Sequence, residues 1–188
     1  MGKVIVIEFS SLDGVVDDPD GRGGTPSGGW AFRYGPEAVA GDKFALGEVL
    51  DTGVMVLGRL TWELFSKIWP GREDPFSRKM NAIDKLVVSR SLEQVDSWDN
   101  SELLSSDPAD AVRRLKQTRD VVVAGSLGVV ERLRAEDLVD EYRLLIFPLV
   151  LGQGRRLFDQ PGHQIDLDLV SAERRGPAVC LVYGRQPV

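Results

Sequence analysis

The stretch Val54-Met55-Val56-Leu57-Gly58-Arg59-Leu60-Thr61-Trp62 changes character at Gly58. Four apolar residues with no polar alternation describe an interior strand covered on both faces, the pattern of a parallel sheet in an α/β protein. Gly58 lets the chain turn tightly at the strand's carboxyl end, and a helix starting there points its free N–H groups into the crevice beyond the sheet. Arg59 adds a cation and Thr61 a hydroxyl, which together suit a phosphate. A tight strand-to-helix turn with a surface arginine fits the same residues.

Two further apolar runs end in the same manner. Leu86-Val87-Val88 stops at Ser89-Arg90, a short hydroxyl donor beside a planar fork of donors. That pair suits a terminal phosphate monoester and, in a dinucleotide site, selects the 2′-phosphate of NADP. Val121-Val122-Val123-Ala124 stops at Gly125-Ser126-Leu127-Gly128. Small residues there admit a pyrophosphate against the next helix's N-terminus, although the Rossmann G-x-G-x-x-G pattern is absent. Ser-Arg pairs and glycine turns are common singly, and it is their recurrence at three strand ends that points to one crevice.

Working outward, Lys3–Phe9 reads as a core strand. Gly14–Pro36, dense in glycine, proline and aspartate and ending in Trp30, Phe32 and Tyr34, reads as a lid over an apolar surface or as a flexible loop. Glu37–Asp51, Arg59–Ser66, Phe76–Ile83 and a segment from about Leu127 to Arg134 read as helices. Asp107-Pro108 starts another, ending near Gln117. Leu103–Leu104 is a short strand. Tyr142–Pro148, Ile165–Ala172 and Ala178–Tyr183 are strands with no helix between them, and so pair antiparallel. The expectation is one domain over residues 1–188, an α/β mixed sheet, mostly parallel with antiparallel C-terminal strands and flanked by helices.

Composition narrows the function. The 188 residues carry a formal charge of −6, which argues against a nucleic-acid binder. No apolar run is long enough to span a bilayer and no signal-peptide pattern opens the chain, so a cytoplasmic protein is expected. Cys180 is the single cysteine and His163, in a turn-like Pro161-Gly162-His163-Gln164, the single histidine. A zinc site and a Ser-His-Asp hydrolase are therefore disfavoured, and no metal is expected.

Gly58-Arg59-x-Thr61-Trp62 resembles a segment of dihydrofolate reductases, and Ser89-Arg90 lies where that superfamily meets the adenosine 2′-phosphate. The opening Ser10-Ser11-Leu12-Asp13-Gly14, the turn Val123-Ala124-Gly125-Ser126, and the late Val139-Asp140-Glu141 and Phe147–Phe158 blocks resemble one branch more closely. That branch is related to the C-terminal reductase domain of the bifunctional riboflavin-biosynthesis deaminase-reductase. The blocks occur in order over almost the whole chain.

The resemblance implies a dihydrofolate-reductase-like fold and NADPH as hydride donor. Gly58, Arg59 and Thr61 would contact cofactor phosphates, Ser89 and Arg90 the 2′-phosphate, and Gly125, Ser126, Leu127 and Gly128 the pyrophosphate and nicotinamide side. Gly152 and Gly154 look like a turn near the cofactor or a structural one. Ser126 stands where dihydrofolate reductases have a second glycine. The superfamily also keeps a carboxylate on the helix before the Gly-Arg-x-Thr strand; counting back without gaps places it at Asp42. Asp13, ending the first strand, competes for that catalytic role, while turn formation and helix capping are the plain alternatives for the two. Trp30, as an exposed loop residue, is the main candidate for substrate contact, with Trp62 a second at a position more often occupied by core residues.

The function expected is an NADPH-dependent oxidoreductase acting on a small planar heterocycle, pterin-, pyrimidine- or flavin-like. The alternatives are the 5-amino-6-ribosylaminouracil reductase step of riboflavin synthesis and a non-catalytic NADP(H)-binding protein. A homodimer through the Leu144–Leu151 region is an expected assembly. Substrate specificity would reside in Gly14–Tyr34.

Overall fold

The computed structural model describes residues 1–159 and 164–186; the turn assigned to Pro161-Gly162-His163 lies outside them. Eight strands form one mixed sheet in the order β4-β3-β2-β5-β1-β6-β8-β7. Contacts group the chain into two compact units, Met1–Val6 with Leu46–Asp140, and Ile7–Ala45 with Glu141–Val188. Strand β1 (Val4–Ser11) contributes to both.

The first unit is the α/β half. It contains β2 (Val54–Gly58), β3 (Asp84–Val88), β4 (Ser101–Leu104) and β5 (Val121–Ala124). β2 pairs in parallel with β3 and β5, and β3 with β4. Val54 to Leu57 and Val121 to Ala124 are buried throughout, as their unbroken apolar runs require. The helices α2 (Arg59–Phe65), α3 (Pro75–Ala82), α4 (Pro108–Leu115) and α5 (Leu127–Ala135) fall close to where the sequence places them. α4 begins as anticipated: the Asp107 carboxylate accepts from Ala109 N at 2.9 Å and Pro108 occupies the first turn. A cap of this kind is worth about 1 kcal/mol.

The second unit is antiparallel. β8 (Ala178–Arg185) inserts between β6 (Glu141–Phe147) and β7 (Leu167–Arg175), pairing antiparallel with both. Its core gathers Trp30, Ala31, Ala38, Leu145, Phe147, Ala178 and Cys180, with Phe9, Tyr34 and Phe44 packed against it. Phe147 is the hub: the rings of Phe9, Trp30 and Tyr34 lie 5.9, 5.7 and 5.4 Å from its centroid.

One expectation is corrected here. Glu37–Asp51 is not one helix: Pro36–Ala38 is a single 3-10 turn, and only α1 (Val49–Thr52) is helical. Gly41, Ala45 and Gly47 have φ of +74°, +52° and +56°, left-handed values that no α-helix accommodates. Arg143 on β6 holds this irregular path by donating to the carbonyls of Phe44 and Ala45.

The Gly14–Pro36 loop folds back over the apolar core of this unit, in line with the first of its two readings. Asp18 organises it, accepting from Gly23 N (2.7 Å), Thr25 N (2.9 Å) and Thr25 Oγ1 (2.9 Å), and Trp30 is driven into the core. Among the described residues, no helix is long and apolar enough to cross a membrane.

Candidate functional site

The first unit assembles the three strand ends singled out from the sequence. β3, β2 and β5 are adjacent and parallel, with Gly58 opposite Val88 and Val56 opposite Val123. Their carboxyl ends therefore emerge along one sheet edge. At ordinary strand spacing the three turns fall within roughly 10 Å.

Ser126 clasps two of them. Its Oγ accepts from Gly58 N at 2.8 Å and lies 3.0 Å from both Thr61 Oγ1 and the Ala124 carbonyl. The β2–α2 and β5–α5 turns are thus locked by one hydroxyl. This answers the departure from the dihydrofolate reductase pattern: a serine can occupy the second position because its side chain makes the bond between turns.

The local backbone explains the small residues. Gly125 and Ser126 have consecutive left-handed φ values of +54° and +61°. Such a turn aims successive amides toward one point, a concavity suited to an anion. At Gly125 a Cβ would be strained by φ and would press to 3.3 Å from Thr61 Oγ1. At Gly128, on the first turn of α5, a Cβ would meet no atom within 4 Å, so open space lies beside the helix N-terminus. The first amides of a helix have no intrahelical acceptor. The residues fit the phosphates of a dinucleotide.

The cationic members are differently engaged. Arg59 is turned along its helix, with Nη1 3.1 Å from both Glu63 oxygens. Arg90 is exposed and forms no ion pair among the described residues. Ser89, though buried, is a turn organiser: its Oγ accepts from Ser91 N (3.1 Å) and Leu92 N (3.0 Å).

The segment after Arg90 is anchored by a buried lysine that the sequence reading did not single out. Lys85 Nζ donates to the carbonyls of Asn81 (2.9 Å), Ile83 (2.7 Å) and Asp99 (3.0 Å) and stands 4.4 Å from the Trp98 ring.

Trp62 belongs to this unit and is 4% exposed, its Nε1 donating to Ser101 Oγ at 3.0 Å. It is a core residue, and the substrate contact expected of it is not supported.

In the second unit, Asp13 accepts from Ser11 Oγ (2.7 Å), Leu151 N (3.0 Å) and Gly152 N (2.9 Å), with Arg156 Nη2 at 3.5 Å. These donors, the Ser11 hydroxyl foremost, hold its carboxyl far below the usual range. An acid so firmly ionised anchors loops; it does not give protons. Gly152 serves that anchor through its amide. Gly154, at φ +115°, lets the chain pass Val15 so closely that a Cβ would come within 2.7 Å of Val15 Cγ1. Both glycines have structural duties here.

Asp42 lies in a turn instead of on a helix, its carbonyl accepting from Ala45 N at 3.3 Å. Its negative charge adds to an upward shift of the Cys180 thiol that burial dominates.

Trp30 is fully buried and its Nε1 donates to the Asp17 carbonyl at 2.8 Å. The expected exposed ligand contact is a core tryptophan; an aromatic in a polar loop is accounted for by what the loop covers. A hollow of about 200 Å³ under this loop, lined by Val15, Asp17, Thr25, Ser27 and Gln153 among others, is smaller than ligand pockets, which begin near 300 Å³.

One candidate was missed. Glu8 on β1 is 5% exposed, and its Oε1 has no hydrogen-bond partner among the described residues. Burial alone raises its pKa to about 8. The signal was present in the sequence: a single acid inside the otherwise apolar run Val4–Phe9.

Comparison with known proteins agrees with this architecture. The chain is similar to the uncharacterised protein YwjB of Bacillus subtilis (strain 168), at 27% identity over 97% of this chain and 98% of that protein. It is also similar to the uncharacterised YyaP of the same organism, at 28% identity over 62% of this chain and 65% of YyaP, just under two thirds of its length.

Among solved structures, it resembles a putative riboflavin biosynthesis protein from Shewanella sp. PV-4, with TM-score 0.75, 20% identity and full coverage of both chains. It also resembles a pyrimidine reductase-like protein from Corynebacterium diphtheriae, with TM-score 0.62 and 15% identity over 100% of this chain and 93% of that one. RibD of Acinetobacter baumannii gives a TM-score of 0.58 at 18% identity, over 100% of this chain and 59% of that one. At these identities the likeness establishes a shared fold. The family is established independently: residues 2–181 match the RibD C-terminal domain model, and the chain therefore belongs to the RibD C-terminal domain family.

Proposed function

We propose that this protein is an NADPH-dependent reductase of a small planar heterocycle. The observation that carries the reading is the Ser126 clasp, which joins the β2–α2 and β5–α5 turns beside the exposed Arg90. Gly58, Arg59 and Thr61 would meet the cofactor phosphates, and Ser89 and Arg90 the 2′-phosphate. Gly125, Ser126, Leu127 and Gly128 would receive the pyrophosphate and nicotinamide side, where the left-handed turn and the start of α5 concentrate amides.

Bound NADPH supplies the hydride; the protein supplies placement, exclusion of water and a proton. For Arg59 to grip a phosphate its guanidinium must leave Glu63. That exchange is inexpensive, because exposed i,i+4 pairs contribute only about 0.3–0.5 kcal/mol.

Membership of a reductase-type family supports the reaction class. The printed names of the structural relatives, riboflavin-biosynthetic and pyrimidine-reductase-like, favour a pyrimidine-type acceptor over a pterin.

The test is oxidation of NADPH in the presence of 5-amino-6-ribosylaminouracil, dihydropterin or riboflavin. Acceptor-dependent oxidation is expected. Tight NADPH binding with no acceptor-dependent oxidation would make this a binding protein that has kept the fold without turnover.

A further inference from the structure

Strand β8 is paired on both sides, and its side chains serve two faces of the antiparallel unit. Ala178, Cys180 and Val182 point into the core around Trp30 and Phe147. The alternate residues point the other way, each level with a residue of β7: Tyr183 with Leu169, Leu181 with Ala172, Val179 with Arg174. Five of these six are apolar, yet Leu169 is 58% and Val179 39% exposed. Among its described residues this unit has no α-helix of its own to lay over them. An apolar sheet face is stable only under a second layer, and a contiguous exposed apolar patch marks an interaction surface.

The charges on this face sit at its corners. Arg174, level with Val179, marks the hairpin end of β7. Its Nε donates to the Gly176 carbonyl at 2.9 Å, which leaves the two terminal nitrogens to reach outward. At the far end Tyr142 of β6 is level with Tyr183, and its ring meets that of Phe158 at 5.4 Å. Phe158 is half exposed and is followed by the exposed Asp159. Neither Arg174 nor Asp159 has an ion pair among the described residues. The face therefore carries a cation at one corner, an anion at the diagonally opposite corner, and apolar side chains between them.

A partner meets this surface by its face and not by its edge. β7 ends the sheet, but a bulge between Leu169 and Ser171 interrupts its ladder, and Asp168, Glu173 and Arg175 lie along it. Bulges and charges of this kind block the addition of another strand.

We infer that the β7–β8 face is the interface of a two-fold homodimer. A two-fold contact joins a patch to itself, so the patch must be its own complement. Apolar side chains satisfy that condition at the centre. An axis lying in the face, through Leu181 and at right angles to the diagonal, sets Arg174 of each copy over Asp159 of the other. One copy thus supplies both the apolar cover and the two missing counter-ions, whereas a rim of one sign would call for a different partner. The contact expected through Leu144–Leu151 moves outward to β7 and β8, because β6 has a strand on each side. The inference stands apart from the reductase reading.

The test is sedimentation equilibrium of the full chain over a wide concentration range, with circular dichroism to follow folding. The wild type is expected to be a dimer whose Tm rises with protein concentration. Leu169→Glu and Val179→Glu change side chains that are exposed in the single chain, so the fold should persist. Each should raise the dimer Kd by about 100-fold or more, because a charge is buried against an apolar partner. Arg174→Asp and Asp159→Arg should each weaken the dimer about tenfold, and the double variant Arg174→Asp/Asp159→Arg should recover it. Recovery in the double variant supports the corner-to-corner contact and cannot come from a loss of fold.

A monomeric wild type would overturn the inference and leave the face to a different partner. A dimer unmoved by Leu169→Glu and Val179→Glu would overturn it by placing the contact elsewhere. A double variant no tighter than either charge reversal alone would contradict the two-fold described.

Discussion

The Ala124–Gly128 turn and the Gly14–Pro36 loop are both glycine-rich, and both look in sequence like places where a ligand is met. They are built to opposite ends. In the turn, left-handed backbone at Gly125 and Ser126 leaves the amides at the start of α5 outside any ladder, and one hydroxyl fastens the assembly to Gly58 and Thr61. In the loop, polar groups are consumed internally by Asp18, and Trp30 is spent on the core. Glycine content does not separate a turn that leaves amides free from a scaffold loop; the destination of the polar groups does.

That contrast breaks most readily at Trp30. Trp30→Ala removes a fully buried indole and should cost about 3–5 kcal/mol in denaturant unfolding. If the loop were a lid with a ligand-facing tryptophan, stability would hardly change and substrate affinity would fall instead. Next in size is Ser126→Ala, which strips Gly58 N of its acceptor and the two turns of their link. A loss of about 1–3 kcal/mol is expected, together with weaker NADPH binding. Ser126→Gly, which relieves the left-handed backbone, should recover part of the stability but not the binding. Equal binding in both variants and the wild type would show that the clasp does not shape the site.

Asp13 sharpens the loop side of the comparison. Its folded pKa is depressed, so its contribution is present above the unfolded value of about 3.9 and is lost as pH falls below it. Asp13→Asn should lower Tm at pH 7 and flatten the acid limb of the stability profile. A variant that kept wild-type Tm and lost only turnover would restore Asp13 as a catalytic candidate.

Legibility divides along the same line. β2 and β5 are plain in sequence because unbroken apolar runs have few other uses, and α4 because Asp107-Pro108 is a local capping signal. Glu37–Asp51 was misread because its apolar residues are spaced as in a helix. What breaks it is left-handed backbone at Ala45, which an alanine does not advertise, stabilised by an arginine about a hundred residues away. The insertion of β8 between β6 and β7 is a matter of long-range pairing that no local pattern encodes.

In the candidate site, the tight turns at Gly58 and Gly125 were readable from the sequence, and the bond that Ser126 makes between them was not. Residues defined by tertiary surroundings were not. Trp30 and Asp13 changed meaning once their partners were known, and Glu8 stands out through an Oε1 with no partner among the described residues.

The most direct test of the cofactor site is fluorescence titration of the protein with NADPH and NADH, in parallel with Arg90→Ala. Arg90 is exposed and free of ion pairs among the described residues, so the substitution should leave folding intact. The account predicts tight NADPH binding, much weaker NADH binding, and a loss of about 10- to 100-fold in NADPH affinity in the variant, the scale of one charge-assisted contact. NADPH and NADH bound alike, with Arg90→Ala indistinguishable from wild type, would contradict it.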